Sequence, residues 1–263
     1  MRTACIVLGD GTEWVAGRLA ERLTSPAEEI TVLACRGKGG LRPLVESAFR
    51  SYDGLVFFMA LGIVVRMIAP LLRGKHEDPA VVVVDDEARF AVSALSGHEG
   101  GANRLAFRVA AALDAVPVVT TGSDTRRKII VGIGCRRGVD AEEVRRAILA
   151  ALERAGIETD QVRLATTVDL KRNEKGLVDA CAALDLPLLF VPSDEIARWS
   201  GGGSDSDVVR RHLGLKGVSE QCALIMGRRA ELILEKTTFG RVTVALVRED
   251  SRSSGSAPVT TAT

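Results

Sequence analysis

Ser96, His98 and Glu99 crowd into the nine-residue stretch Leu95–Asn103, interleaved with Gly97, Gly100 and Gly101 and ending on Asn103. Histidine titrates near neutral pH and a neighbouring carboxylate tunes it, so His98 and Glu99 qualify as a general acid–base pair. A helix beginning near Gly101 would point free backbone N–H groups and the positive end of its dipole at the loop, which favours an anion. The plainer alternative is a tight strand-to-helix connection in which His98 only caps.

Four further groups carry chemistry-bearing side chains. Arg66, Lys75, His76, Glu77 and Asp78 lead into Pro79, with Lys75 and His76 after a helix C-terminus, where cations are favoured in any case. Asp85 and Asp86 follow at a strand end, a place for catalytic carboxylates and equally for a hairpin turn. The run Val131-Gly132-Ile133-Gly134-Cys135-Arg136-Arg137-Gly138 reads as strand, glycine turn and helix start. That order suggests an anion-binding nest, with Gly134, Arg136 and Arg137 holding a phosphate or carboxylate. It departs from the dinucleotide fingerprint because Arg137 stands where a glycine is needed. Cys135 there is either a thiol of lowered pKa or, more simply, a structural thiol. Thr167, Asp169 and Lys171 end a strand, where ligands bind in open α/β sheets; an ordinary polar loop explains them equally well. Lys236 precedes Gly240 in a hairpin and points at an acidic ligand or merely at solvent.

The elements that must position these residues alternate between strand and helix. The expected strands are Thr3–Leu8, Ile30–Ala34, Leu55–Met59, Ala80–Val84, Phe90–Leu95, Val116–Thr120, Ile129–Ile133, Val162–Thr167 and Leu188–Val191, with Glu231–Glu235 and Arg241–Val247 as a closing pair around 236–240. Helices are expected over Glu13–Leu23, Leu41–Arg50, Ile63–Leu72, Ala102–Leu113, Ala141–Ala155 with Asp140 as its cap, Leu177–Leu184 and Ser219–Met226 with Ser219 as its cap. This alternation is the pattern of α/β layering. It predicts two three-layer α/β domains with mostly parallel sheets, the first containing a β-hairpin at 80–95 joined through Asp85–Ala88. The polar, basic stretch 125–128 divides the chain into an amino-terminal domain, 1–125, and a carboxy-terminal domain, 129–248. Residues 201–205 read as a loop, and 249–263, rich in Ser, Ala and Thr, as a disordered tail.

Composition narrows the function classes. A chain of 263 residues with 46% hydrophobic and 26% charged residues has room for one large or two modest cores. A net charge of +1 and 4% aromatics argue against nucleic acid as the partner. The cysteines are five, widely spaced and without a Cys-x-x-Cys pair, which argues against a structural zinc or iron–sulfur site and fits reduced thiols in the cytoplasm. No signal peptide is read at the start, and the apolar stretch 55–72 is broken by Gly62, Arg66 and Pro70, which speaks against a membrane span.

Together the motifs resemble a known family. Met59–Arg66, Ala69-Pro70-Leu71-Leu72, Lys75-His76-x-Asp78-Pro79-Ala80-Val81 and Leu95–Asn103 are similar to the amino-terminal half of the CbiG family, the cobalt-precorrin-5A hydrolases of anaerobic cobalamin biosynthesis. Gly132–Gly138, Ala165-Thr166-x-x-Asp169-Leu170-Lys171 and Glu235-Lys236-x-x-Phe239-Gly240 are similar to its carboxy-terminal half. The resemblance covers most of residues 1–248 in family order. One departure stands out: many members carry a further domain between the halves, whereas here Thr120–Asp124 runs almost directly into Ile129.

The resemblance implies opening of the δ-lactone of cobalt-precorrin-5A and release of a two-carbon fragment as acetaldehyde, giving cobalt-precorrin-5B. The cobalt arrives in the substrate, so no cofactor or metal of the protein's own is expected. On that reading His98 is the acid–base residue, assisted by Glu99, while Ser96 and the amides of Gly97–Gly101 hold an oxyanion. Substrate contacts are expected from Arg66, Lys75, His76, Gly97, Gly100, Gly101, Asn103, Gly134, Arg136, Arg137, Thr167, Asp169, Lys171 and Lys236, the basic ones against the carboxylates of the macrocycle. A cleft between two α/β domains would receive it. A homodimer and transient contact with other enzymes of that pathway are compatible with the reading. Two other classes stay open: a non-catalytic tetrapyrrole carrier, and a nucleotide-binding regulatory module built on Gly132–Gly138.

Overall fold

A computed structural model describes residues 1–24, 28–37, 39–122, 127–201, 217–227 and 229–249. Of the expected loop at 201–205, boundary at 125–128 and tail at 249–263, residues 202–205, 125–126 and 250–263 lie outside them, while Gly201 ends a helix and Glu249 a strand. The chain divides into two compact units, Met1–Asp124 and Thr125–Thr263.

Unit one runs β1 (Arg2–Leu8), α1 (Asp10–Leu23), β2 (Glu29–Cys35), α2 (Leu41–Ser51), β3 (Gly54–Phe58), α3 (Leu61–Ile68), β4 (Ala80–Val84), β5 (Phe90–Leu95), α4 (Ala102–Leu113) and β6 (Val116–Val118). Its sheet has the order β2-β1-β3-β4-β5-β6. Only the β4–β5 pairing is antiparallel, and it is the expected hairpin. The strands β3 and β4 are buried along their whole length, as unbroken apolar runs in a covered parallel sheet should be. Ala4, Ile6, Leu55, Phe57, Val81 and Val83 face α2 and α3. The alternate residues Cys5, Val7, Val56, Phe58, Val82 and Val84 are buried too, on the face where α1 packs on α4. Both faces are therefore covered, which makes three layers.

The helix expected over Ile63–Leu72 starts two residues earlier and ends as α-helix at Ile68, passing into a 3-10 turn at Ala69–Leu71. Pro70 has no amide to donate and interrupts the α-helical ladder there. At the amino end of α1, Gly9 takes φ 74 and the helix begins at Asp10, three residues before the expected Glu13.

Unit two runs β7 (Ile129–Cys135), α5 (Ala141–Ala155), β8 (Val162–Val168), α6 (Lys175–Ala183), β9 (Leu188–Val191), α7 (Ser193–Gly201), α8 (Val218–Met226), β10 (Ala230–Phe239) and β11 (Val242–Glu249). The sheet order is β10-β11-β7-β8-β9. Its pairings divide evenly: β7–β8 and β8–β9 are parallel, β10–β11 and β11–β7 antiparallel. Helices α5 and α6 cover one face around Val131, Ile133, Ala165 and Leu246. Helix α8 covers the other, against β7, β8 and β11. Asp140 caps α5 as expected, accepting from the Glu142 amide at 2.8 Å.

Three expectations are corrected here. The helix α7 was not expected, although Pro192 and the acidic pair Asp194 and Glu195 give it a helix-start pattern. Ser219 does not cap α8; Gly217 does, and Ser219 lies inside the helix, fully buried. Lys236 is not in a turn, because β10 continues through bulges to Phe239 and only Gly240 and Arg241 turn the chain. Among the described residues, no helix is long and apolar enough to cross a membrane.

Candidate functional site

Strand direction decides where the His98 loop lies. Because β5 is antiparallel to β4, Leu95 pairs with Val81, and the loop after β5 emerges beside the start of β4. The strand β6 runs parallel to β5, so its carboxyl end opens at the same edge of the sheet. Helix α4 joins the two. The loop thus sits at the carboxyl ends of a local parallel pair, the usual ligand edge, and at the amino ends of β1, β3 and β4.

This placement brings together residues far apart in sequence. The turn before β4 carries Lys75 and His76, and both reach the loop. The Lys75 Nζ donates to Glu99 Oε1 at 3.0 Å, and His76 Nδ1 lies 3.9 Å from Glu99 Oε2. The Lys75 hydrogen bond, with the charges of Lys75, His76 and His98, holds the Glu99 carboxyl below its usual range against a smaller effect of burial. An ionised Glu99 is therefore an electrostatic partner for a protonated histidine rather than a proton donor. Replacing Lys75 by Met removes the largest cause, so the Glu99 pKa rises. The acid limb of any activity that needs the carboxylate ionised then moves to higher pH, measurable as a pH–rate profile.

His98 is exposed and, among the described residues, makes no hydrogen bond. Also among the described residues, the consecutive amides of Gly97, His98, Glu99, Gly100 and Gly101 have no acceptor. They are the donors expected to hold an oxyanion. The helix start itself offers less than the sequence suggested: the amides of Ala102 and Asn103 donate to the carbonyls of Ser96 and Gly97 at 3.1 and 3.0 Å. Gly101 precedes the helix at φ 84, and a Cβ on Gly100 would stand 2.4 Å from the Ser96 Cβ and 2.9 Å from its carbonyl oxygen. A glycine at 100 is thus dictated by close approach within the loop.

Two of the expected site residues have structural partners instead. The Ser96 hydroxyl donates to the Asp78 carbonyl at 3.0 Å, so its proton is not available to an oxyanion while that bond stands. Asn103 is buried; its Oδ1 accepts from Ser93 at 2.7 Å and its Nδ2 donates to Thr121 at 2.7 Å. It ties β5 to the segment after β6 and supports Gly97, whose Cβ position lies 2.8 Å from Asn103 Oδ1. Arg66 is exposed on α3, with Nη1 donating back to the Gly62 carbonyl at 3.2 Å.

Asp85 and Asp86 are not part of this group. They follow the carboxyl end of β4, a strand of five residues, roughly 16 Å from the His98 edge at about 3.3 Å per residue. Asp85 closes the hairpin by accepting from the Phe90 amide and from Arg89 Nε, both at 2.8 Å. Burial would raise its pKa, but these bonds and the Arg89 charge outweigh it and keep the carboxyl low.

In unit two, two amides of the expected anion nest already have acceptors within the protein. The Gly138 amide donates to Glu174 Oε1 at 2.8 Å, and the Arg136 amide to the Arg241 carbonyl at 3.0 Å. Arg241 in turn grips Glu143 through Nε and Nη2 at 3.0 and 2.8 Å. Lys171, at 3.6 Å from Glu174 Oε2, already has a carboxylate partner. Arg136 and Arg137 remain exposed, with no side-chain ion pair among the described residues. Gly134 packs under Thr243, whose hydroxyl donates to its carbonyl at 3.3 Å. Burial pushes the Cys135 thiol up; Lys171 opposes this only in part and Glu174 adds to it, so Cys135 is a protonated structural thiol.

Thr167 is fully buried, and Asp169 accepts from Ser193 at 3.5 Å through one oxygen while its buried Oδ1 has no partner among the described residues. Lys236 donates its amide to Glu220 Oε1 at 2.6 Å. Glu220, buried to 2% exposure, was not among the residues singled out from the sequence, and Asp78, named there with Lys75 and His76, had no substrate role assigned to it. A lone carboxylate inside the apolar run 218–226 was the available signal for Glu220.

Comparison with known proteins follows the same division. The family models described as Cobalamin synthesis G N-terminal and Cobalamin synthesis G C-terminus match residues 43–124 and 129–247. A cobalt-precorrin-5A hydrolase of Priestia megaterium is 28% identical over 306 aligned residues, covering 79% of this chain and 82% of the relative. Because 79% of 263 residues cannot fill 306 positions, about a third of that alignment stands opposite gaps in this chain. Between the two family models this chain has only residues 125–128. A cobalt-precorrin-5A hydrolase of Salmonella typhimurium strain LT2 is 48% identical over 86 residues, 33% of this chain and 24% of that protein. Protein CobE of a Sinorhizobium species is 32% identical over 120 residues, 45% of this chain and 78% of CobE.

Proposed function

This chain belongs to the cobalamin synthesis G (CbiG) family, and from that premise we propose that it is a cobalt-precorrin-5A hydrolase of cobalamin biosynthesis. The proposed reaction uses water to open the δ-lactone of the cobalt-bearing macrocycle and releases acetaldehyde, leaving cobalt-precorrin-5B. The cobalt is part of the substrate. The proposed setting is the cytoplasm.

The observation that carries the chemistry is the convergence of His98, Glu99, Lys75 and His76 beside five amides that have no acceptor among the described residues. In this reading His98 takes a proton from the attacking water and returns it to the leaving group. Glu99, kept ionised by Lys75, stabilises the imidazolium formed in between. The amides of Gly97–Gly101 receive the oxyanion that develops on the lactone carbonyl. Arg66 in unit one and Arg136 and Arg137 in unit two are offered to carboxylate side chains of the macrocycle; such charge-assisted bonds fix orientation as well as affinity. The proposed role of Ser96 shifts from holding the oxyanion, and that of Asn103 from substrate contact, to support of the loop, since both hydrogen-bond within the protein. Lys171, paired with Glu174, is a weaker candidate for substrate than the two arginines.

Titration of the full chain with a cobalt–corrinoid bearing free carboxylates, set against titration with nucleoside triphosphates, tests the reading at the level of binding. Saturable corrinoid binding that weakens in Arg136→Ala and Arg137→Ala is the expected result. Nucleotide binding without corrinoid binding would replace it with the regulatory-module reading.

A further inference from the structure

We propose that Asp78 is a positioning residue for the hydrolytic site: through its carboxylate and its carbonyl it latches the Lys75–His76 turn to the His98 loop. The proposal rests on the reading of His98 and Glu99 as the acid–base pair.

Asp78 is only 7% exposed, and what holds its carboxylate is main chain. The Oδ1 accepts from the Arg73 amide at 2.9 Å and Oδ2 from the Gly74 amide at 3.2 Å. The amides of Glu77 and Asp78 both donate to the Gly74 carbonyl at 3.0 Å, which closes the same turn from the other side. The turn is therefore fixed by bonds that converge on Asp78 and Gly74, and it presents Lys75 and His76 outward, each 69% exposed.

The main chain of Asp78 makes the second connection. Its carbonyl accepts the Ser96 hydroxyl at 3.0 Å, across 18 residues of sequence. Ser96 stands at φ 55, a left-handed conformation that serine adopts rarely, and in that conformation its own carbonyl accepts the Ala102 amide. The loop from 96 to 102 is thus pinned at its first residue to Asp78 and at its last to Ser96. His98 and Glu99 lie between these pins. The β4–β5 pairing brings the two segments near each other, and their bonds to the same aspartate fix how Glu99 meets Lys75. The charged groups that face Glu99 are Lys75, His76 and His98.

Substitution can separate this role from simple support of the fold. Asp78→Asn keeps the shape, but an amide side chain has one acceptor oxygen where the carboxylate has two, so one of the Arg73 and Gly74 bonds is lost. Ser96→Gly removes the hydroxyl and places at φ 55 the residue that adopts it freely, so the backbone is relieved while the latch is cut. Steady-state acetaldehyde release by the full chain is measured for both variants and their combination, with pH–rate profiles and thermal midpoints.

Each single variant is expected to lower kcat by about tenfold or more with KM changed by less than about twofold, since a misplaced catalytic group loses rate before it loses substrate. The acid limb moves to higher pH in both, as Glu99 parts from Lys75. The double variant is no worse than the more damaged single, because both cut one connection. Wild-type kcat with an unmoved acid limb in Ser96→Gly overturns the proposal, and so do losses that multiply in the double variant. A wild-type chain that releases no acetaldehyde overturns the hydrolase reading and this role with it, whereas an active wild type with equally active variants overturns this role alone.

Discussion

Replacing His98 by Ala is expected to lower the rate of acetaldehyde release by about 10²–10⁴-fold, the usual worth of a positioned general acid–base residue. The thermal midpoint and the affinity for a cobalt–corrinoid should stay at wild-type values. The imidazole is exposed and, among the described residues, makes no hydrogen bond, so its removal leaves no buried group unpaired. The loop keeps its shape because Ser96, Asn103, Ala102 and Asp78 hold it through bonds that do not involve His98. Loss of rate without loss of binding or stability is the signature of a group needed in the transition state. A retained rate in His98→Ala would shift the proposed chemistry at this edge to His76, the Lys75–Glu99 pair and the amides of 97–101.

The second large effect concerns stability and lies in unit two. A Cβ on Gly132 would stand 1.9 Å from the carbonyl oxygen of Ser219 and 3.0 Å from the Cβ of Ala223. Both neighbours belong to α8, and the nearer one is backbone, which cannot rotate aside. Helix α8 reaches its place on β7 only because residue 132 has no side chain. Gly132→Ala must push the helix off the sheet or bend the strand, at a cost of about 1–3 kcal/mol or more. The buried face that suffers includes Cys222 and Ala223, both fully inaccessible. Thermal unfolding followed by circular dichroism should show a midpoint lower by a few degrees for each kcal/mol lost. Gly17→Ala is the matching control: it lies inside α1 with open space at its Cβ position, and alanine there is expected to be neutral or stabilising by up to about 1 kcal/mol. Equal midpoints for Gly132→Ala and wild type would contradict the packing described for α8.

Much of the fold was legible in the sequence because its strands are short apolar runs between turn residues. Ala80–Val84, Phe90–Leu95, Ala102–Leu113 and Ala141–Ala155 have the bounds that their patterns imply. Their ends are set by local chemistry: Asp140 at a cap, Gly101 at φ 84, Gly156 at φ 66. What local chemistry does not encode was not legible. The Gly132–Gly138 run looks like an anion nest because its own residues fit one, yet the groups that decide the matter are distant. Glu174, 36 residues on, fills the Gly138 amide, and Ser219, on α8, claims the space at Gly132.

The candidate site shows the same division. The cluster of His98, Glu99 and their glycines announces itself by composition, and its nearness to Lys75 and His76 follows once β4 and β5 pair as a hairpin. The commitment of the Ser96 proton could not be read in advance, since a serine in a glycine-rich loop looks like an oxyanion donor until its acceptor is seen. Asp78 stands out in the sequence beside Lys75 and His76, but its positioning role does not: flanked by Glu77 and Pro79 it gives no sign of the burial that the fold imposes.

The central claim, that this chain hydrolyses cobalt-precorrin-5A, is tested most directly in a single turnover with enzyme in excess over cobalt-precorrin-5A. Acetaldehyde is captured and the macrocycle weighed by mass spectrometry. One acetaldehyde is expected for each macrocycle consumed, with a product lighter by one acetaldehyde and heavier by the one water taken up, and with both changes slowed by about 10²–10⁴-fold in His98→Ala. A wild-type chain that binds the macrocycle and returns it at unchanged mass, with no acetaldehyde, would contradict the account and leave a tetrapyrrole carrier in its place.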